Sequence, residues 1–145
     1  MIQRKQSIWL LIAALCGAGL FYFSLYQYHV TENGIDVVKS LRVNDHYPSL
    51  IVAVVTTLLP LVSIFMYTNR KRQVAMSFAN VMALCSFISM VLARVTGLDK
   101  LVPPPTGVSY GVGAVLPVVA LIFTILAIFG IRRDDKLVKS MDRLR

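Results

Sequence analysis

The sequence predicts an all-α membrane protein, a four-transmembrane-helix bundle, on two observations. Four apolar stretches, at roughly 8–28, 49–67, 74–93 and 110–131, each match the length of about 20 residues that a helix needs to cross a bilayer. Hydrophobic residues make up 57% of the chain and charged ones only 15%, which leaves little for a water-soluble domain. Residues 50–55 and 115–123 are apolar all round the helix, not on one face. Such helices belong in lipid or in a very large core, and 145 residues make one domain too small for the second.

The first stretch follows a basic start, Arg4 and Lys5, and so looks like a secretory signal. Residues 13–16 even suggest a lipoprotein cleavage site. Leu15 stands where such a site needs a small residue, however, and the apolar run continues through Phe23. A retained anchor is the expectation. Ala13 with Gly17, and Ala14 with Ala18, put small residues four apart, the spacing that lets helices approach closely in lipid.

In the second stretch, Pro60 removes the hydrogen bond to the Thr56 carbonyl, with Thr56, Thr57 and Ser63 as candidates to satisfy the freed group. The third stretch carries Ala75, Ala79 and Ala83 at four-residue spacing, a face expected against other spans or, alternatively, in a homodimer. Asn80 is costly facing lipid and should point into the bundle as a packing residue. The fourth stretch contains Pro117 after two glycines, Gly111 and Gly113. Cys16 and Cys85 both fall within spans and are expected to be packing residues, without a disulfide or metal-site spacing.

No span holds Asp, Glu, Lys or His near its middle. Proton-coupled carriers need such a group. Small four-span drug exporters, which this chain resembles in length, use a glutamate in the first span, and none is present here. Arg94 sits near the end of the third stretch, where it can snorkel.

The formal charge of +8 is concentrated at span ends. Arg4 and Lys5, then Arg70, Lys71 and Arg72, then Arg132, Arg133, Lys136, Lys139, Arg143 and Arg145 make eleven cations on one side of the threading. Lys39, Arg42, Arg94 and Lys100 make four on the other. The positive-inside rule places both termini in the cytoplasm. The basic balance therefore points to orientation and anionic head groups, with no nucleic acid as partner.

The first outer loop has an Asn33-Gly34 pair between β-prone residues, the signature of a small hairpin. A lone hairpin is only marginally stable and would have to rest on the membrane or another loop. His29, His46, Asp36 and Asp45 there match no metal-ligand spacing and read as solvated loop residues. Pro103, Pro104 and Pro105 stiffen the second outer loop. Tyr22, Tyr26, Tyr28, Tyr47 and Tyr110 gather at the outer boundary and Tyr67 at the inner one, as an aromatic belt does. In the basic tail, 132–145, Leu137, Val138, Met141 and Leu144 fall on one face, which predicts an amphipathic C-terminal helix in the head-group region.

The start MIQRKQS (1–7), the turn NRKRQ (69–73), and above all IRRDDKLVKS (131–140) with DRLR (142–145) resemble a Bacteroidota family of four-span integral membrane proteins, a domain of unknown function. The resemblance covers essentially the whole chain. It implies a topology and an inner-membrane location, and no catalytic residues or cofactor.

The expected function is non-enzymatic: an accessory or scaffold subunit that docks a partner or anionic lipid through Arg70, Lys71, Arg72 and the basic tail. A passive channel or carrier, with Pro60, Asn80 and Pro117 along its path, is the alternative. The spans lack the Ser/His, His-rich or paired-carboxylate sets of a membrane enzyme.

Overall fold

Four helices pack in a ring, each against two neighbours. The computed structural model describes residues 3–32, 35–98 and 107–142. α1 (Gln3–Gly19) leads to β1 (Tyr26–Glu32) and β2 (Ile35–Leu41). A short 3-10 turn (Val43–Asp45) then precedes α2 (Tyr47–Phe65), and α3 (Arg70–Leu98), β3 (Gly107–Tyr110) and α4 (Val112–Asp142) complete the chain. α1 packs on α2, α2 on α3, α3 on α4, and α4 closes the ring onto α1. The Asn33-Gly34 turn, Lys100, the three consecutive prolines, Arg143 and Arg145 lie outside the described residues, as does the Lys139 side chain.

Polarity runs the wrong way for a protein in water. Ser49, Ser63, Ser77, Asn80 and Thr124 are fully buried, while Leu15, Phe65, Phe78, Met82, Ile122 and Phe129 are exposed. A surface rich in large apolar side chains, around an interior that includes buried polar groups, suits a lipid solvent, where hydrogen bonds and close packing join the helices. Among the described residues, three helices are long and apolar enough to cross a membrane: Tyr47–Phe65, Arg70–Leu98, and Val112–Val138 within α4.

α1 is shorter than the first apolar stretch. Its 17 residues span about 25 Å at 1.5 Å each, against a hydrocarbon core of about 30 Å. The reason lies in residues 19–26. Gly19 sits where a Cβ would come within 2.9 Å of Leu116 Cδ1, and the chain then unwinds through tight turns such as Leu20 N–H to the Gly17 carbonyl (3.2 Å). Beyond it the Leu25 and Ser24 carbonyls accept from the Gly111 and Gly113 N–H groups (both 3.1 Å), so this backbone bonds to the second loop instead of continuing the helix. Tyr26 and Tyr28 therefore lie in a strand, and Tyr26 is buried. Aromatic residues suit strands as readily as an apolar helix, and hydropathy alone does not separate the two.

The all-α expectation is corrected by a three-stranded antiparallel sheet in the order β2-β1-β3. β1 and β2 pair from Tyr26↔Leu41 to Glu32↔Ile35, which makes the hairpin longer than its turn signal suggested. β3 pairs from Tyr26↔Tyr110 to His29↔Gly107 and supplies the support that a lone hairpin lacks. The rings of Tyr26 and Tyr110 meet edge to face at 5.1 Å. Beneath the sheet, Leu20, Leu25, Tyr26, Leu41, Val43, Ala53, Phe87 and Leu98 form one apolar cluster joining it to the bundle.

The tail also differs from expectation. α4 runs through Gly130 and Ile131 without a break, so 132–142 extend the spanning helix by about 16 Å instead of forming a separate helix.

Candidate functional site

Polar side chains join the helices in layers, starting from α3. Gln73, Ser77, Asn80, Leu84 and Phe87 recur every three or four residues and form its buried face. Ala75 and Ala79 are exposed and Ala83 is half-buried, so the small-residue stripe is not the face that packs within the chain. The Asn80 amide donates to Thr124 Oγ1 of α4 (3.1 Å), whose hydroxyl donates to the Ala120 carbonyl (2.7 Å). Asn80 Oδ1 is buried without a partner. Nearer the basic end, the Ser63 and Ser77 hydroxyls lie 3.1 Å apart, and each also reaches the Gln73 carbonyl (3.3 and 2.9 Å).

α1 and α2 touch at a glycine. A Cβ on buried Gly17 would meet Thr57 Oγ1 at 2.7 Å and Thr57 Cα at 3.1 Å, so only glycine allows this approach. Pro60 is fully buried in α2. The Thr56 and Thr57 hydroxyls both donate to the Ala53 carbonyl (2.9 and 2.8 Å), and Ser63 is engaged across the helix pair, so these groups do not serve the carbonyl that Pro60 frees. His46 acts as a helix cap: Ser49 N–H donates to its Nδ1 at 3.3 Å, with Pro48 in the first turn of α2. Among the described residues no group of three or more His, Cys, Asp or Glu is placed to hold a metal.

The start of α1, the α2–α3 turn and the end of α4 converge at the bundle end opposite the sheet. Gly130 allows it, since a Cβ there would meet Gln6 Cγ at 3.0 Å and Trp9 Cζ3 at 3.1 Å. With α1 this close, the Gln6 side-chain amide donates to the Asp134 carboxylate one turn further along α4, and both residues are buried. Beside this pair a cavity of about 10 Å³ is lined by Gln6, Ser7, Tyr67, Arg70, Gln73 and Asp134. It has room for about one water.

Next to it opens a cleft of about 390 Å³ lined by Arg70, Lys71, Val74, Arg132, Asp135 and Lys136. Arg70 lines both spaces, and its Nη1 is buried with no hydrogen-bond partner. The cleft thus brings together four cations that are 60 or more residues apart in two pairs: Arg70 and Lys71 from the α3 start, Arg132 and Lys136 one turn apart on α4. Arg72 and Arg133 are exposed at the same end and do not line it. Asn69 caps α3, its Oδ1 accepting from the Arg72 N–H at 3.3 Å.

Sequence reasoning named the basic residues but missed Gln6, Gln73 and Asp134. The signal for Gln73 was its place on the Ser77–Asn80–Leu84 periodicity. For Gln6 and Asp134 only the pairing of the two chain ends reveals the contact.

These features define a helical bundle of membrane-protein character, apolar outside with hydrogen-bonded polar side chains among the buried apolar ones, with a sheet at one end and a basic cleft at the other. The chain belongs to the family described as Domain of unknown function (DUF4293), whose model matches residues 2–144. No curated protein and no solved structure matches it.

Proposed function

We propose that this is a non-enzymatic accessory or scaffold protein of the bacterial inner membrane, with four spans and both termini in the cytoplasm, which docks anionic lipid or a membrane-protein partner through its basic end. The observation that carries this reading is the convergence of Arg70, Lys71, Arg132 and Lys136 on one cleft. Cations at a membrane surface attract anionic head groups at about 1 kcal/mol each. In this arrangement α1 completes its crossing through the apolar turn at residues 20–25. α4 carries its last 11 residues into the cytoplasm.

Packing also favours docking over the passive-channel alternative. Pro60 and Pro117 are buried, and the interior between the helices is filled by Leu10, Leu84, Phe87 and the Asn80–Thr124 pair. Filling of this kind suits a bundle that holds its shape. Liposomes containing the protein are expected to show no more solute flux than empty ones.

The docking reading is tested by purification from native membranes, comparing the wild type with a variant carrying Lys71→Gln, Arg72→Gln, Arg132→Gln and Arg133→Gln. The expected result is loss of co-purifying anionic lipid and of any bound partner. An unchanged set of lipids and proteins contradicts it.

A further inference from the structure

We infer that the cleft between the start of α3 and the end of α4 is a one-to-one site for the phosphate of an anionic phospholipid, anchored by Arg70. The inference rests on the docking reading and narrows it from a charged face to a single site.

The lining matches a phosphate in charge and in donors. Four cations and one carboxylate, Asp135, surround the space, and the cations come from two helices, so they approach a bound group from different sides. Arg70 lines both the cleft and the small cavity beside it. Its guanidinium is a planar fork of donors of the kind that fits phosphate oxygens. The start of α3 adds the positive end of a 29-residue helix at the same place.

The surroundings favour a lipid over a free anion. Val74 lies one turn along α3 from Arg70 and gives the cleft an apolar wall on the side leading into the bundle. Tyr67, exposed beside Arg70, marks the depth at which aromatic side chains meet head groups. A ligand here meets cations at its head and an apolar surface below, the polarity of a phospholipid.

The experiment is native mass spectrometry of the full chain in detergent, titrated with short-chain phosphatidylglycerol, with phosphatidylcholine as zwitterionic control and inorganic phosphate as competitor. Wild-type protein is expected to bind one phosphatidylglycerol in preference to phosphatidylcholine. Arg70→Gln should weaken it about tenfold, Lys136→Gln several-fold, and Arg72→Gln and Arg133→Gln less than twofold. Thermal unfolding shows whether Arg70→Gln is folded; if it is not, exposed Lys136 decides the case. Equal weakening by all four variants overturns the site and leaves the docking reading standing as a diffuse charged face. No preference for phosphatidylglycerol overturns the site and the anionic-lipid half of the docking reading, leaving a membrane-protein partner at the basic end. Inorganic phosphate that binds at millimolar concentration with the same dependence on Lys136, while phosphatidylglycerol does not, overturns the lipid assignment.

Discussion

The two ends of the bundle are closed by different means. At the sheet end, backbone does the joining: β1 holds β2 and β3, and the Ser24 and Leu25 carbonyls take N–H groups from the start of α4. An apolar cluster seals it from below. At the basic end, side chains do the joining, through Gln6 with Asp134 and the Ser63–Ser77–Gln73 set, and a cleft lined by four cations remains. A backbone-closed end is costly to change and offers little to a ligand. The side-chain end tolerates change and keeps its charges available. Stability should therefore be concentrated toward the sheet, and binding at the opposite end.

The sharpest way to break that contrast is Gly111→Ala. The new Cβ would lie 2.1 Å from the Ser24 carbonyl oxygen, a backbone atom that cannot rotate away. A loss of about 3 kcal/mol is expected, read as a lower midpoint of thermal unfolding in detergent. Next comes Gly17→Ala, expected to cost about 2 kcal/mol because it drives α1 off Thr57. Adding Thr57→Ala removes the nearest contact, at 2.7 Å, but leaves Thr57 Cα at 3.1 Å. The double variant should recover about 1 kcal/mol in the same measurement.

Smaller effects sharpen the middle of the bundle. Thr124→Val strands the Asn80 amide and should cost about 1 kcal/mol by detergent unfolding. Adding Asn80→Leu removes the stranded group, so the pair together should be less destabilised than Thr124→Val alone. Smallest of all is Arg133→Gln at the basic end, where the side chain is exposed and a change within about 0.5 kcal/mol is expected. If Arg133→Gln costs as much as Gly111→Ala, the contrast between the ends fails.

How much of this was legible in the sequence differs by region. The second, third and fourth stretches lie in helices because long, uniformly apolar runs have one stable form in lipid. The end of α1 was not legible, because residues 20–28 are apolar and aromatic in a way that suits helix and strand alike, and the loop that captures them lies some 80 residues away. The third strand was hidden for the same reason: Gly107–Tyr110 is too short to announce itself without its partner. The Ala75–Ala79–Ala83 spacing does not mark the face that packs within the chain, because small residues permit close approach without requiring it, whereas buried Asn80 and Ser77 must find partners. Charge clustering identified Arg70, Lys71, Arg132 and Lys136. Their meeting in one cleft depends on the packing of α4 against α3, which local sequence does not encode.

The central claim is that the two ends face different compartments, with the basic end in the cytoplasm. Its most direct test uses single cysteines at exposed positions, Arg72→Cys at the basic end and Ser40→Cys at the sheet end, with Cys16→Ser and Cys85→Ser in both. Sealed right-side-out vesicles are treated with a membrane-impermeant maleimide. The account predicts labelling at position 40 in intact vesicles and at position 72 only after permeabilisation. Labelling of both positions before permeabilisation, or of position 72 alone, would contradict it.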